Sequence, residues 1–374
     1  MLKTIKLLDN LSVDRLSQLW AERYVPDLST MSFKEINFSI YELLEAASPQ
    51  GRTQTVAKLE RMVEIRCQCA GIKTNIIFSY IPNVVNLTES RGIATIAAQV
   101  YQKILEVYQK QSTFPGTLVH PPNRVTVDVS NDIFRSSVMP RLSLAEVKQL
   151  AMEIEPLLLK FQEQHLTSED RRTVGFMSTQ FHLSAKLVLD RLTLPEQLLL
   201  SPYFKFVEEQ VCIPWQRVCS AAAQHNLDSP ILVLAQQLLP LSPAIAKKVY
   251  NRAVHMNPKH RSLRGGLTNP GVRASSIRDI EMFQAYLWLC ALEGNMSAVE
   301  QELLPLCMMV FPSIEVSWEL VEQLLPSLVT EIEERVSSEQ MQLLMPYTQA
   351  MEQMFSNLEA KAVGKVDYSR LRTG

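Results

Sequence analysis

The sequence predicts an all-α protein, a multi-helix bundle or helical stack, and three observations carry that expectation. Capping boxes recur along the chain, as Ser32…Glu35, Ser143…Glu146, Thr193…Glu196, Ser297…Glu300 and Ser337…Gln340. In each, a hydroxyl and a carboxylate or amide three residues later can satisfy the orphan backbone donors of a first helical turn. Apolar residues follow at helical spacing; after Ser143 come Leu144, Val147, Leu150, Ala151, Ile154 and Leu158, stepping by three and four to form one buried face. Strand-like alternation is confined to RVTVDVS at 124–130, too short to build a sheet. Proline (20) outnumbers glycine (11), which suits many helix starts and stops with few flexible hinges.

Taken from the N-terminus, residues 1–112 read as a helical domain whose last helix ends near Lys110. The next stretch, 113–142, holds most of the extended text and is rich in proline; it reads as an interdomain linker or, alternatively, a long surface crossover within one domain. A larger helical domain is expected over 143–360, followed by a basic flexible tail at 361–374. The tripeptide LLP recurs at 238–240, 303–305 and 324–326. Its copies are unevenly spaced, so a HEAT-like stack has no fixed repeat to rest on.

Apolar residues make up 47% of the 374 residues and charged ones 20%, enough to bury a core. The uncharged segment SPILVLAQQLLPLSPAIA at 229–246 carries three prolines, whose freed backbone groups would need partners inside lipid, so it reads as protein core and no membrane span is expected. The six cysteines fall mostly in apolar helical text without CxxC or Cys/His ligand spacing. Reduced thiols in a cytoplasmic protein are the expectation.

A net charge of −2 conceals strong segregation. From Ser229 to Arg278 there are eight Lys or Arg and no Asp or Glu; from Asp279 to Ala360 there are fourteen Asp or Glu and one cation, Arg335. The most unusual part is KHRSLRGGLTNPGVRASSIRD at 259–279, with five cations and three glycines. It leads into a helix expected to be capped at Ser275 or Ser276, stopped at Gly294 and central to its domain. Arg273 and Arg278 would then sit at the positive end of the helix dipole, which is unfavourable by about 0.3–1 kcal/mol. A later helix, expected after Pro312 with Ser313 as its cap, aligns Glu315, Glu319, Glu322 and Glu333 as an acidic stripe, because eighteen residues complete five turns.

Three uses of the basic segment compete. Lys259, Arg261, Arg264, Arg273 and Arg278 could be solvated or neutralise the protein's own acidic helices. They could dock another protein or a second copy of the chain. Or they could hold a phosphate or carboxylate, with Gly265 and Gly266 admitting it to the backbone and Ser275 and Ser276 at the helix start. The loop fits neither GxxxxGK[ST] nor GxGxxG. It lacks Phe, Tyr and Trp for base stacking, and the acidic segment beside it would repel DNA, so nucleic acid is not expected.

Candidate chemistry is sparse. The six histidines form no HExxH or i,i+4 pair, so neither a metal nor a cofactor is expected. His182 lies in apolar helical text and reads as a core histidine with a hydrogen-bonded ring. Glu331, Glu333 and Glu334 form a local carboxylate cluster on a charged helix. Tyr203, Phe204, Phe206 and Trp215 could line a groove, but packing between two helices broken at Pro214 is the default reading. No catalytic motif is present, and a non-enzymatic scaffold, adaptor or regulator is the expected function, with an anion-binding module as the alternative.

Overall fold

The computed structural model describes residues 11–21, 24, 37–79, 85–111, 126–128, 147–166 and 173–356. The chain is all-α and divides into two compact units, Met1–Leu227 and Asp228–Gly374.

In the first unit the helices are α1 (Leu11–Ala21), α2 (Ile40–Ala47), α3 (Pro49–Glu60), α4 (Val63–Ile77), α5 (Leu87–Lys110), α6 (Val147–Leu166), α7 (Thr173–Leu189), α8 (Leu194–Cys212) and α9 (Trp215–Ala223). A two-stranded antiparallel ribbon joins β1 (Asn37–Ser39) to β2 (Thr126–Asp128), with Phe38 opposite Val127. Of the strand-like text at 124–130, Thr126–Asp128 form a strand, paired to β1 of the same unit. The two units divide at Leu227–Asp228, and α5 packs on α6 and α7 within the first. Apart from Thr126–Asp128, the segment 113–142 lies outside the described residues.

α4 packs chiefly between α5 and α7. The close approach needs a small residue at Gly71, where a Cβ would lie 3.2 Å from the Gln180 amide and 3.4 Å from the Ser90 hydroxyl. Tyr101 of α5 fills the next layer, its ring 4.7 Å from Phe204 and 5.9 Å from Phe181 and its hydroxyl donating to the Phe181 carbonyl at 3.0 Å. Trp20 of α1 stacks on Trp215 of α9 with centroids 4.2 Å apart and planes 18° from parallel. Tyr203, Phe204, Phe206 and Trp215 are all buried, so the aromatic segment is core, interrupted at Pro214 as expected. The apolar face read after Ser143 is buried at Val147, Leu150, Ala151, Ile154 and Leu158.

Arg52 is buried with no carboxylate paired to it among the described residues, and it donates to the carbonyls of Ala47, at 3.1 Å, and Tyr108, at 3.2 Å. These carbonyls lie in the last turns of α2 and α5, where helix dipoles favour a cation. The guanidinium also stands 4.6 Å from the Tyr108 ring centre. At Pro202 inside α8 the Leu198 carbonyl loses its helical donor, and the Ser201 hydroxyl takes it at 3.3 Å.

The second unit contains α10 (Pro230–Leu238), a 3-10 turn (Leu239–Leu241), α11 (Ser242–Met256), the ribbon β3 (Arg261–Ser262) and β4 (Gly265–Gly266), α12 (Pro270–Glu293), a π-turn (Val299–Leu303), α13 (Leu304–Ser313), α14 (Trp318–Glu333) and α15 (Ser338–Ser356). α12 is central: every residue from Ile280 to Leu292 is buried, and α10, α11 and α15 pack on it. It stops at Gly294 with φ +70°, a left-handed conformation that glycine adopts without strain.

The capping boxes at Thr193…Glu196 and Ser337…Gln340 are present. At Ser297 the cap shifts, since the Asn295 side chain accepts from the Ser297 amide. Ser32…Glu35, Ser143…Glu146, Leu144 and the tail at 361–374 lie outside the described residues. Among the described residues no helix is long and apolar enough to cross a membrane.

Candidate functional site

The basic segment folds into a short hairpin between α11 and α12. Arg261 pairs with Gly266 and Ser262 with Gly265, leaving Leu263 and Arg264 at the tip. Gly265 has φ +122°, which disfavours any side chain. Ser262 clamps the turn: its hydroxyl donates to the Gly265 carbonyl at 3.1 Å and accepts from the Arg264 amide at 3.3 Å.

The hairpin is anchored at both ends. The Leu263 amide donates to the Ile314 carbonyl at 2.9 Å, tying the tip to the α13–α14 connection. Below it Leu267, Val272 and Leu320 form a small core with Ala253, Val254 and Val316. The Tyr250 hydroxyl donates to the Leu267 carbonyl, and Asn257 donates to Gln323 of α14 at 2.8 Å. Burial raises the Tyr250 phenol above its usual value, with Arg273 acting in the opposite sense from 6.0 Å off the ring.

The cap of α12 lies six residues before Ser275, the nearer of the two expected serines. This cap is Asn269, whose Oδ1 accepts from the Gly271 and Val272 amides at 2.9 and 3.3 Å, and Pro270 follows at the first helical position. Ser275 lies inside the first turns and donates back to the Gly271 and Val272 carbonyls; Ser276 is likewise helical. Arg273 remains near the positive end of the helix and lies over Tyr250, whereas Arg278 is further along and donates to Asp279 at 2.9 Å.

Lys259, Arg261 and Arg264 are exposed, and no ion pair joins them to an acidic side chain among the described residues. Arg264 is exposed by area yet crowded at its head. Desolvation first, and then the charge of Arg278, lower it below its usual value, while Asp279 opposes them. Leu263, between these cations, is 64% exposed. His260 turns inward, with a buried Nε2 and a basicity lowered by desolvation.

The acidic stripe is shorter than expected. α13 runs through Pro312 to Ser313, so the next cap is Ser317, which accepts from the Leu320 amide at 3.4 Å. Glu315 falls in the connection with φ 58°, outside α14. Glu319 and Glu333 are exposed on α14 and Glu322 is half-buried. None of these four forms an ion pair with 259–278 among the described residues.

The unit's internal neutralisation runs instead through Glu331, which is 3% exposed. Arg252 reaches its Oε1 at 3.0 Å, Lys248 lies 3.7 Å from Oε2, and Arg335 lies 2.9 Å from Oε2. The same Arg335 nitrogen donates to the Glu331 backbone carbonyl, so Oε2 is close to a cation without receiving an aligned hydrogen bond. Periodicity had marked Glu331 only as part of a local cluster with Glu333 and Glu334.

Five of the six cysteines are buried, and Cys69 is part-exposed. Among the described residues no group of three or more His, Cys, Asp or Glu is placed to hold a metal ion. Burial pushes the Cys67 thiol up to about 12 and raises Cys307 as well, which suppresses the thiolate. His182 is part-exposed rather than core, and its Nδ1 lies 3.0 Å from Glu208.

A cleft of about 360 Å³ in the first unit is lined by Phe38, Glu42, Glu45, Gln54, Lys58 and Glu196. Burial alone would raise Glu196, but Lys58, the Thr193 amide and hydroxyl, and Thr55 outweigh it and leave the carboxyl below its usual value. A depressed carboxyl stabilises the fold at pH values above its unfolded pKa, and that contribution disappears as pH falls through the folded value. The melting temperature of wild type should therefore fall toward that of Glu196→Gln as the pH drops below about 4. A gap between the two that stays constant from pH 7 to pH 3 would contradict this.

Comparison of the chain with protein-family models, with curated proteins and with solved structures returns no match.

Proposed function

We propose that the chain is a non-enzymatic helical scaffold or adaptor of the cytoplasm that works through protein–protein contacts, with the β3–β4 hairpin as its docking surface. The observation that carries this is the exposed triplet Lys259, Arg261 and Arg264, unpaired within the described protein and set around the exposed Leu263. Cations in this setting steer encounter and fix register, and an apolar tip supplies area to bury. The backbone holding them is anchored, so little ordering cost accompanies docking. Free thiols at all six cysteines, five of them buried, fit a reducing compartment.

The anion-binding alternative has less support. Asn269 already accepts from the first amides of α12, the donors that an anion at this helix start would use. Arg273 lies over Tyr250.

Arg261→Glu combined with Arg264→Glu tests the docking reading. Proteins captured from extract by wild type should be lost from the variant, while its melting temperature stays within about 2 °C, as expected for exposed positions. Capture that is unchanged by the reversal would refute it. Inorganic phosphate at about 10 mM, against a salt control of equal ionic strength, should leave the melting temperature unmoved; a rise of several degrees would favour the anion reading.

A further inference from the structure

The same unit that exposes unpaired cations also exposes unpaired carboxylates beside them. The hydrogen bond from Leu263 to the Ile314 carbonyl places the hairpin tip next to Glu315. The chain Asn257–Gln323–Glu319 links the end of α11 to the acidic face of α14, at 2.8 and 3.4 Å. The cationic tip and the acidic α13–α14 connection are thus joined through the backbone, and no ion pair links their side chains among the described residues.

This juxtaposition constrains the partner. A uniformly acidic protein, a nucleic acid or an anionic membrane would meet Arg261 and Arg264 favourably but would be repelled by Glu315 and Glu319 a few residues away. The partner that fits carries both signs in reversed order. A second copy of this chain does so when turned about a two-fold axis that passes between the hairpin and the start of α14. Each hairpin then faces the other copy's Glu315 and Glu319, and every contact is made twice, as in isologous dimers. Leu263, 64% exposed, supplies apolar area at the hairpin tip.

Resting on the docking reading above, we infer that the hairpin's partner is a second copy of the chain, held by reciprocal pairing of Arg261 and Arg264 with Glu315 and Glu319. The experiment is sedimentation velocity of the full chain over a concentration series at low and high salt. It uses wild type, the cation variant Arg261→Glu with Arg264→Glu, the acid variant Glu315→Lys with Glu319→Lys, and the two variants mixed in equal amounts. Wild type should dimerise at low salt and dissociate at high salt. Each variant alone should associate at least about tenfold more weakly, and the mixture should recover to within about threefold of wild type.

A wild type that stays monomeric at every concentration and salt would overturn the inference. So would a dimer indifferent to both reversals, or a mixture that fails to recover when circular dichroism shows both variants folded. Should a reversed variant not fold, the neutral pair Arg261→Gln with Arg264→Gln and its acidic counterpart Glu315→Gln with Glu319→Gln replace the set. Each must then weaken the dimer, and an unweakened dimer overturns the inference. A monomeric wild type whose captured proteins are still lost on reversal would sink self-association and leave the docking reading standing. Loss of neither would sink both.

Discussion

Trp215→Ala is expected to lower the stability of the first unit by about 3–5 kcal/mol, which should read as a fall in melting temperature of roughly 10 °C. The indole is 2% exposed and stacks on Trp20 at 4.2 Å, so truncation leaves a cavity where α1 packs on α9. The loss propagates along a continuous aromatic row. Trp20 donates to the Tyr24 hydroxyl, and the Tyr24 ring meets Phe206 edge-on at 5.2 Å. Trp215→Phe keeps part of the stack and should cost less than half as much. A change under about 2 °C for the alanine variant would mean that α1 contributes little to this core.

Glu331→Ala should be the most costly charge deletion in the second unit. Removing one member of a buried ion pair costs about 3–5 kcal/mol when the partner stays stranded. Here Arg252 and Lys248 have side chains 37% and 58% exposed and can turn toward water, which brings the expectation down to about 2–4 kcal/mol. Denaturant unfolding of Glu331→Ala, Arg252→Ala and the double variant would measure the coupling. Because the Glu331 side chain is only 4% exposed, that coupling should survive added salt better than the hairpin association does. A coupling near zero would show that the Arg252–Glu331 pair does not help to hold α11 to α14.

These two positions illustrate how unevenly the protein could be read from its residues. The aromatic segment around Trp215 was legible as core because burial of large apolar side chains follows from composition and spacing. The central place of α12 was legible for the same reason, being apolar nearly all round after Ile280. Its stop at Gly294 was marked by a residue that tolerates a left-handed turn. Glu331 was visible only as one acid in a cluster. Its cations Lys248 and Arg252 lie far back in the chain, and periodicity carries no information about which distant helix will pack alongside.

The start of α12 was misplaced for a different reason. Ser275 and Ser276 are good caps, but Asn269 followed directly by Pro270 is a better one, since proline at the first helical position has a pre-set φ and no amide to satisfy. That signal was present and was outcompeted by a pair of serines, of which Ser275 instead bonds back into the helix. The earlier start carries Arg278 into the third turn and leaves only Arg273 near the helix end. At Pro312 the opposite happened. The proline lies in the last turn of α13 instead of opening a helix, and the true cap, Ser317, removed Glu315 from the stripe. Of the site itself, the cations and the flanking acids were readable, whereas the hairpin that fixes their spacing depends on Leu263 reaching Ile314.

The Trp20–Trp215 stack has a spectroscopic consequence. The chain has four tryptophans, and they divide evenly: Trp20 and Trp215 belong to the first unit, Trp288 and Trp318 to the second. Only the first pair is face to face, with nearly parallel planes. Two indoles this close share their electronic transitions, so they give a split circular-dichroism band that neither ring gives by itself. That band should vanish when the first unit opens, whatever happens to the second, and it provides an optical signal native to one half of the molecule.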